Sequence, residues 1–142
     1  MMEIGIETAR RIIAAAQETG VARGMKPLSV VVLDAGGHPI AFERADGASP
    51  GRFEIARGKA YGAVMLGMGG RAQAERAASG PAFMAAINGA FGGKVVPVPG
   101  GVLVRGAEGA VIGAVGVTGD TSDNDAEAAL AGIAAVGLTG EA

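Results

Sequence analysis

The segment Leu28-Ser29-Val30-Val31-Val32-Leu33-Asp34-Ala35-Gly36-Gly37-His38-Pro39-Ile40-Ala41-Phe42-Glu43-Arg44 decides the fold class. Leu28 to Asp34 is rich in β-branched residues, and both faces of its pleat are apolar. A strand apolar on both faces must be covered on both sides. Asp34-Ala35-Gly36-Gly37 supplies turn chemistry, and His38 to Arg44 resumes as a second strand, so the segment predicts a β-hairpin. Its first strand is therefore expected to be buried on both faces.

The flanking sequence fits that frame. Before the hairpin, Ile6 to Arg23 carries Ile6, Ala9, Ile13 and Ala16 on one side and Glu7, Arg10, Arg11, Gln17 and Glu18 on the other, the period of an amphipathic helix. After it, Ser49 and Pro50 are read as the start of a second helix running to about Leu66, with Ser49 as cap. Gly67-Met68-Gly69-Gly70 breaks the pattern, and shorter helices are expected over Arg71 to Ala77 and Pro81 to Ala90. Val95 to Val98 and Val102 to Arg105 read as short strands around Pro99-Gly100-Gly101. Ala110 to Thr118 reads as a longer strand, again apolar on both faces. Ser122 opens the last helix, with Asp125 as its capping-box partner and Gly137 near its end. The expected order is α-β-β-α(αα)-β-β-β-α: one α/β domain of the α+β type over residues 1–142, with an antiparallel sheet of about five strands flanked by helices.

Composition restricts the function. Thirty alanines and 26 glycines make up about two-fifths of the 142 residues, and there is no Trp and one Tyr. A chain with so little side-chain bulk gains stability by bringing backbones close together and by self-association, so a homo-oligomer is expected. The spacing Ala56-Ala60, Gly58-Gly62 and Ala63-Gly67 marks the second helix as the contact element. A net charge of −2 and a pI near 5.4 leave no basic footprint for nucleic acid or an anionic membrane. The absence of cysteine removes disulfides, thiolate metal sites and cysteine nucleophiles. A single histidine, His38, cannot make a two-histidine metal site. Met1-Met2-Glu3-Ile4-Gly5 has no basic stretch leading into an apolar run, so a cytoplasmic location is expected.

Lys59 is the clearest departure from pattern. It lies in an apolar stripe with Ile55, Gly62 and Leu66, where an ammonium must snorkel, pair or meet a bound anion. Asp34, Asp125 or a ligand carboxylate are the available partners, and a cavity shared with the Thr118-Gly119 turn is expected beside it. Gly116-Val117-Thr118-Gly119 leads from a strand into Asp120-Thr121-Ser122 and the last helix, the geometry of an anion site. The aspartates Asp120, Asp123 and Asp125 already place negative charge there, which stabilises the helix and competes with an anionic ligand. As a calcium loop this acidic run lacks the central glycine and the terminal glutamate. Arg44 is a second candidate carboxylate contact. Asn88 to Lys94 resembles a phosphate loop but has its first glycine one position late and no hydroxyl residue after the lysine, so it is rejected. His38 is either a turn residue or an axial haem ligand.

Taken together, Val31-Val32-Leu33-Asp34-Ala35-Gly36-Gly37-His38, Phe42-Glu43-Arg44, Ile55-Ala56-Arg57-Gly58-Lys59-Ala60-Tyr61, Gly100-Gly101-Val102 and Ile112 to Gly119, followed by Asp125-Ala126, resemble the GlcG/HbpS-like family, also called the haem-degrading or DUF336 domain. The resemblance runs in order over essentially the whole chain. It implies an antiparallel sheet flanked by helices, homo-oligomeric assembly and, in some relatives, binding of haem. It also implies Asp34, Arg44, Lys59, Gly116, Thr118 and Asp125 as pocket-lining positions; Gly119 joins them through its turn. The function expected is binding of haem or a small anionic metabolite. The alternative is an enzyme acting on a small organic acid, with Lys59 and an aspartate as acid and base.

Overall fold

The computed structural model describes residues 3–142; Met1 and Met2, where the expected cytoplasmic N-terminus begins, lie outside the described residues. The elements are α1 (Ile6–Ala22), β1 (Ser29–Asp34), β2 (Pro39–Arg44), α2 (Arg52–Leu66), α3 (Gly70–Ser79), α4 (Pro81–Ala90), β3 (Gly101–Arg105), β4 (Val111–Thr118), α5 (Ser122–Ala135) and β5 (Thr139–Glu141). The strands form one sheet in the order β2-β1-β4-β3-β5, every neighbouring pair antiparallel.

Two apolar layers account for the strands that read as buried on both faces. Val30 and Val32 of β1, with Val115 and Val117 of β4, pack under α1 and α5 against Ile12, Ile13, Ala129 and Ile133. Val31 and Leu33 of β1, with Ala114 of β4, face Ala56, Ala60 and Ala63 of α2. A register shift between Val104 and Arg105 makes Ile112 the extra residue opposite β3. Val111 and Ile112 therefore face the α2 and the α1/α5 layers respectively, which simple alternation along β4 does not give.

The small residues of α2 are used by this chain's own sheet. A Cβ on Gly116 would run into the Ala56 carbonyl, and one on Gly101 into the Lys59 carbonyl, so α2 lies on the β3–β4 backbone at a distance only glycine permits. Gly62 faces Gln73 and Val95 of the same chain. The close approach expected of this helix is thus intramolecular, and a role as the contact element between copies does not follow from it.

The expected element order needs one correction. Val95 to Val98 is not a strand. Pro97 and Pro99 cannot donate to a ladder, the Val95 N–H donates to Asn88 Oδ1 at 2.8 Å, and the Val96 N–H donates to the Gly58 carbonyl at 3.2 Å. The fifth strand is β5, after the last helix, paired with β3 through Leu103, Val104 and Arg105. Two caps also differ. The Thr121 hydroxyl, not Ser122, caps α5 by accepting from the Asn124 N–H, and Ser49 accepts from Arg52 Nε instead of capping α2.

Candidate functional site

Lys59 projects from the sheet-facing side of α2 towards the C-terminal end of β4. Its ammonium donates to Asp125 Oδ2 and to the Val117 carbonyl, both at 3.1 Å. Lys59 is 3% exposed and Asp125 1%, so the ion pair is sealed from water. The other carboxylate oxygen, Asp125 Oδ1, accepts from the Asp120 N–H at 2.9 Å, which fixes the turn entering α5. Burial pushes the Lys59 ammonium below its ordinary pKa of 10.5. The Asp125 charge and hydrogen bond oppose that shift without cancelling it, and the nearby Arg52 guanidinium adds to it. Among the partners the sequence offered, Asp125 is the one the structure brings to Lys59.

Thr118 lies one residue beyond the carbonyl that Lys59 holds. Its buried hydroxyl accepts from Arg52 Nη1 at 2.8 Å. Thr118 pairs across the sheet with Ser29, which pairs on its other side with Arg44 at the end of exposed strand β2. The Ser29 hydroxyl is fully buried and has no hydrogen-bond partner among the described residues. Gly116 is occupied by the α2 approach. Gly119, at φ 147°, sits where a Cβ would strike the Pro27 carbonyl; both are glycines for backbone reasons. One end of the sheet thus gathers Arg44, Lys59, Gly116, Thr118, Gly119 and Asp125, with Arg52, which the sequence reading did not single out. Beside it, the exposed Asp120 carboxylate accepts from the Lys26 N–H and from Asn124 Nδ2, and these bonds lower its pKa to about 2.

Asp34 and His38 lie at the opposite end of β1, roughly 17 Å away at the rise of an extended chain. Asp34 Oδ1 accepts from the Gly36 and His38 N–H groups, both at 2.9 Å, and so closes the hairpin turn. The His38 ring is exposed and lies over Gly36. Gly36 and Asp34 belong to a cleft of about 340 Å³ with Ile4, Ile40 and Ile112 as apolar walls and Glu3 at its rim. Lys59, Thr118 and Asp125 line none of the four best-defined clefts among the described residues.

A family described as haem degrading protein HbpS-like matches residues 4–134, which contain both ends of the sheet described above. The chain belongs to the HbpS-like family. This HbpS-like chain superposes on PduOC, crystallised in complex with haem, with a TM-score of 0.85 at 25% identity over 96% of each chain. It matches a double mutant of Streptomyces reticuli HbpS with a TM-score of 0.80 at 30% identity, over 94% of this chain and 87% of that one. Klebsiella pneumoniae ORFY shares the fold, with a TM-score of 0.84 at 23% identity over 96% and 92% of the two chains. No curated protein sequence matches.

Proposed function

We propose that this HbpS-like chain is a self-associating ligand-binding protein that takes haem or a small anionic metabolite. The observation that carries the haem part is family membership, together with a structural relative crystallised in complex with haem. Haem would bring a redox-active iron, and the protein's part is to supply an axial ligand and apolar cover. His38 fits the first role: its imidazole is exposed, on a hairpin locked by Asp34, beside a cleft walled by Ile4, Ile40 and Ile112. The carboxylates of Asp34 and Glu3 line the same cleft, so haem propionates are best accommodated away from them.

Binding is favoured over catalysis by the state of Lys59. An acid or base must come within hydrogen-bond reach of substrate. This ammonium is 3% exposed and already shared between Asp125 and a backbone carbonyl. Self-association is supported by α4, whose exposed faces carry no charge.

Titration with hemin tests the haem reading. A Soret band that saturates near one haem per chain is expected, and His38→Ala should shift its position and weaken it. A spectrum identical in wild type and His38→Ala would remove His38 as the ligand, and a failure to saturate would remove haem.

A further inference from the structure

We propose that the cleft between α2 and the Gly93–Val96 segment binds a small organic carboxylate, held by Arg57 and Lys94 against the apolar walls of Ile55 and Val96. The site lies apart from the His38 cleft used by the haem reading and does not rest on that reading.

The cleft encloses about 270 Å³ and is lined by Glu54, Ile55, Arg57, Gly58, Lys94 and Val96, with Gly93 at its edge. Residues 54, 57 and 58 share one face of α2, the face turned away from the sheet that Lys59 meets. The opposite wall is an irregular segment held in place at two points. The Val96 N–H donates to the Gly58 carbonyl at 3.2 Å, and the Val95 N–H donates to Asn88 Oδ1 at 2.8 Å. Gly58 permits the approach: a Cβ there would come within 2.8 Å of the Lys94 carbonyl. The cleft is therefore built from a helix and a fixed segment.

Its charges are unmatched. Arg57 Nε is buried and has no hydrogen-bond partner among the described residues. A buried donor of a charged group without an acceptor is costly, and such groups are normally satisfied. The Lys94 ammonium, 5.5 Å from the centre of the Tyr61 ring, has no carboxylate within 4 Å among the described residues. Glu54 is the single acid in the lining, and it pairs with neither cation. Two cationic residues and one acidic residue line the cleft, and an incoming anion would balance them.

The walls narrow the class of anion. A guanidinium matches a carboxylate or a phosphate with paired N–H donors, and an ammonium adds a point charge. Ile55 and Val96 offer apolar surface that only an organic acid can cover. The volume lies below the ~300–1,000 Å³ typical of drug-sized ligands, which suits a metabolite-sized acid.

The test is a titration of the 15N-labelled full chain with sodium butyrate, and separately with inorganic phosphate, at matched ionic strength. Binding is read from the Arg57 Nε–H signal and the Gly58 and Lys94 amides. Butyrate should give saturating shifts at these three groups. Arg57→Gln and Lys94→Gln should each weaken binding about tenfold, the scale of one lost charged hydrogen bond, and Glu54→Gln should tighten it. Lys94 lies on the exposed segment, so its variant keeps the fold even if Arg57→Gln does not. Shifts that fail to saturate, or an unchanged Kd in Lys94→Gln, overturn the site. Phosphate binding as tight as butyrate overturns the organic-acid class. The hemin titration of His38→Ala reads a different place, so either proposal can fail alone.

Discussion

Removing the Lys59 ammonium would leave the Asp125 carboxylate in a space from which water is already excluded. An isolated buried charge costs far more than a buried pair, and breaking such a pair by removing one partner typically destabilises a protein by about 3–5 kcal/mol. Lys59→Met keeps the length of the stem and removes the charge, so it should lower the urea unfolding free energy by about that amount. Replacing both partners, Lys59→Met with Asp125→Leu, should cost less than the two single changes added together, because neither charge is then left alone. Asp125 also accepts from the Asp120 N–H, so the double variant still loses that bond and should not recover fully. A single-variant loss below about 1 kcal/mol would mean that water or another group reaches Asp125. The misfit of Lys59 in its stripe was legible in the sequence, and Asp125 was among its three possible partners. The choice between them was not legible, because it depends on which end of β4 the helix α2 crosses. Arg52 and Arg57 were not legible as site residues either. On α2 they occupy positions that read as an ordinary polar face, and only the Arg52 bond to Thr118 and the cleft that Arg57 shares with Lys94 and Val96 distinguish them.

The packing of α2 on β3 and β4 makes a prediction at the level of elements. Gly116 lies under the Ala56 carbonyl, a backbone atom of a helix that is itself wedged against Gly101. A flexible side chain could move aside, but two backbones in regular structure cannot without separating the layers. Gly116→Ala should therefore cost at the upper end of the about 1–3 kcal/mol usual for overpacking, and lower the melting temperature by about 10 °C. An unchanged melting temperature would show that α2 can lift from the sheet at little cost. The strands on which it sits were legible because Val30 to Leu33 and Val111 to Val117 are apolar on both faces, a pattern that a half-exposed strand does not produce. Val95 to Val98 misled for the same reason that it is β-favouring in composition: composition does not say where the N–H groups go, and here they go to Asn88 and Gly58. The true fifth strand, Thr139-Gly140-Glu141, has no strand-like residues beyond its threonine. It exists because β3 offers a free edge, and because Gly140 fits beneath Leu130 and Ile133 of α5.

The whole molecule leaves one helix without the cover its composition calls for. From Ala77 to Gly93 the chain carries no charged residue, yet Met84 is the only buried residue of α4, and Phe83 is 57% exposed. A chain of 13.8 kDa with few large side chains cannot spare an apolar helix to solvent without consequence, since contiguous exposed apolar surface marks an interaction site. A second copy of the chain is the occupant proposed, because self-association adds burial that a core poor in aromatic and bulky residues cannot supply alone. Light scattering at micromolar concentration should then give a mass that is an integral multiple, above one, of 13.8 kDa. Phe83→Glu places a carboxylate at the exposed face, where it has room in the single chain and would be buried unpaired between copies. The variant should shift towards the monomer while its far-ultraviolet circular dichroism stays that of the wild type, since Phe83 contributes little to the core. Wild-type protein that runs as a monomer would end the proposal of self-association. A wild-type oligomer that Phe83→Glu leaves intact would instead move the interface away from α4, with the free β2 edge and its half-exposed Phe42 as the next surface to examine.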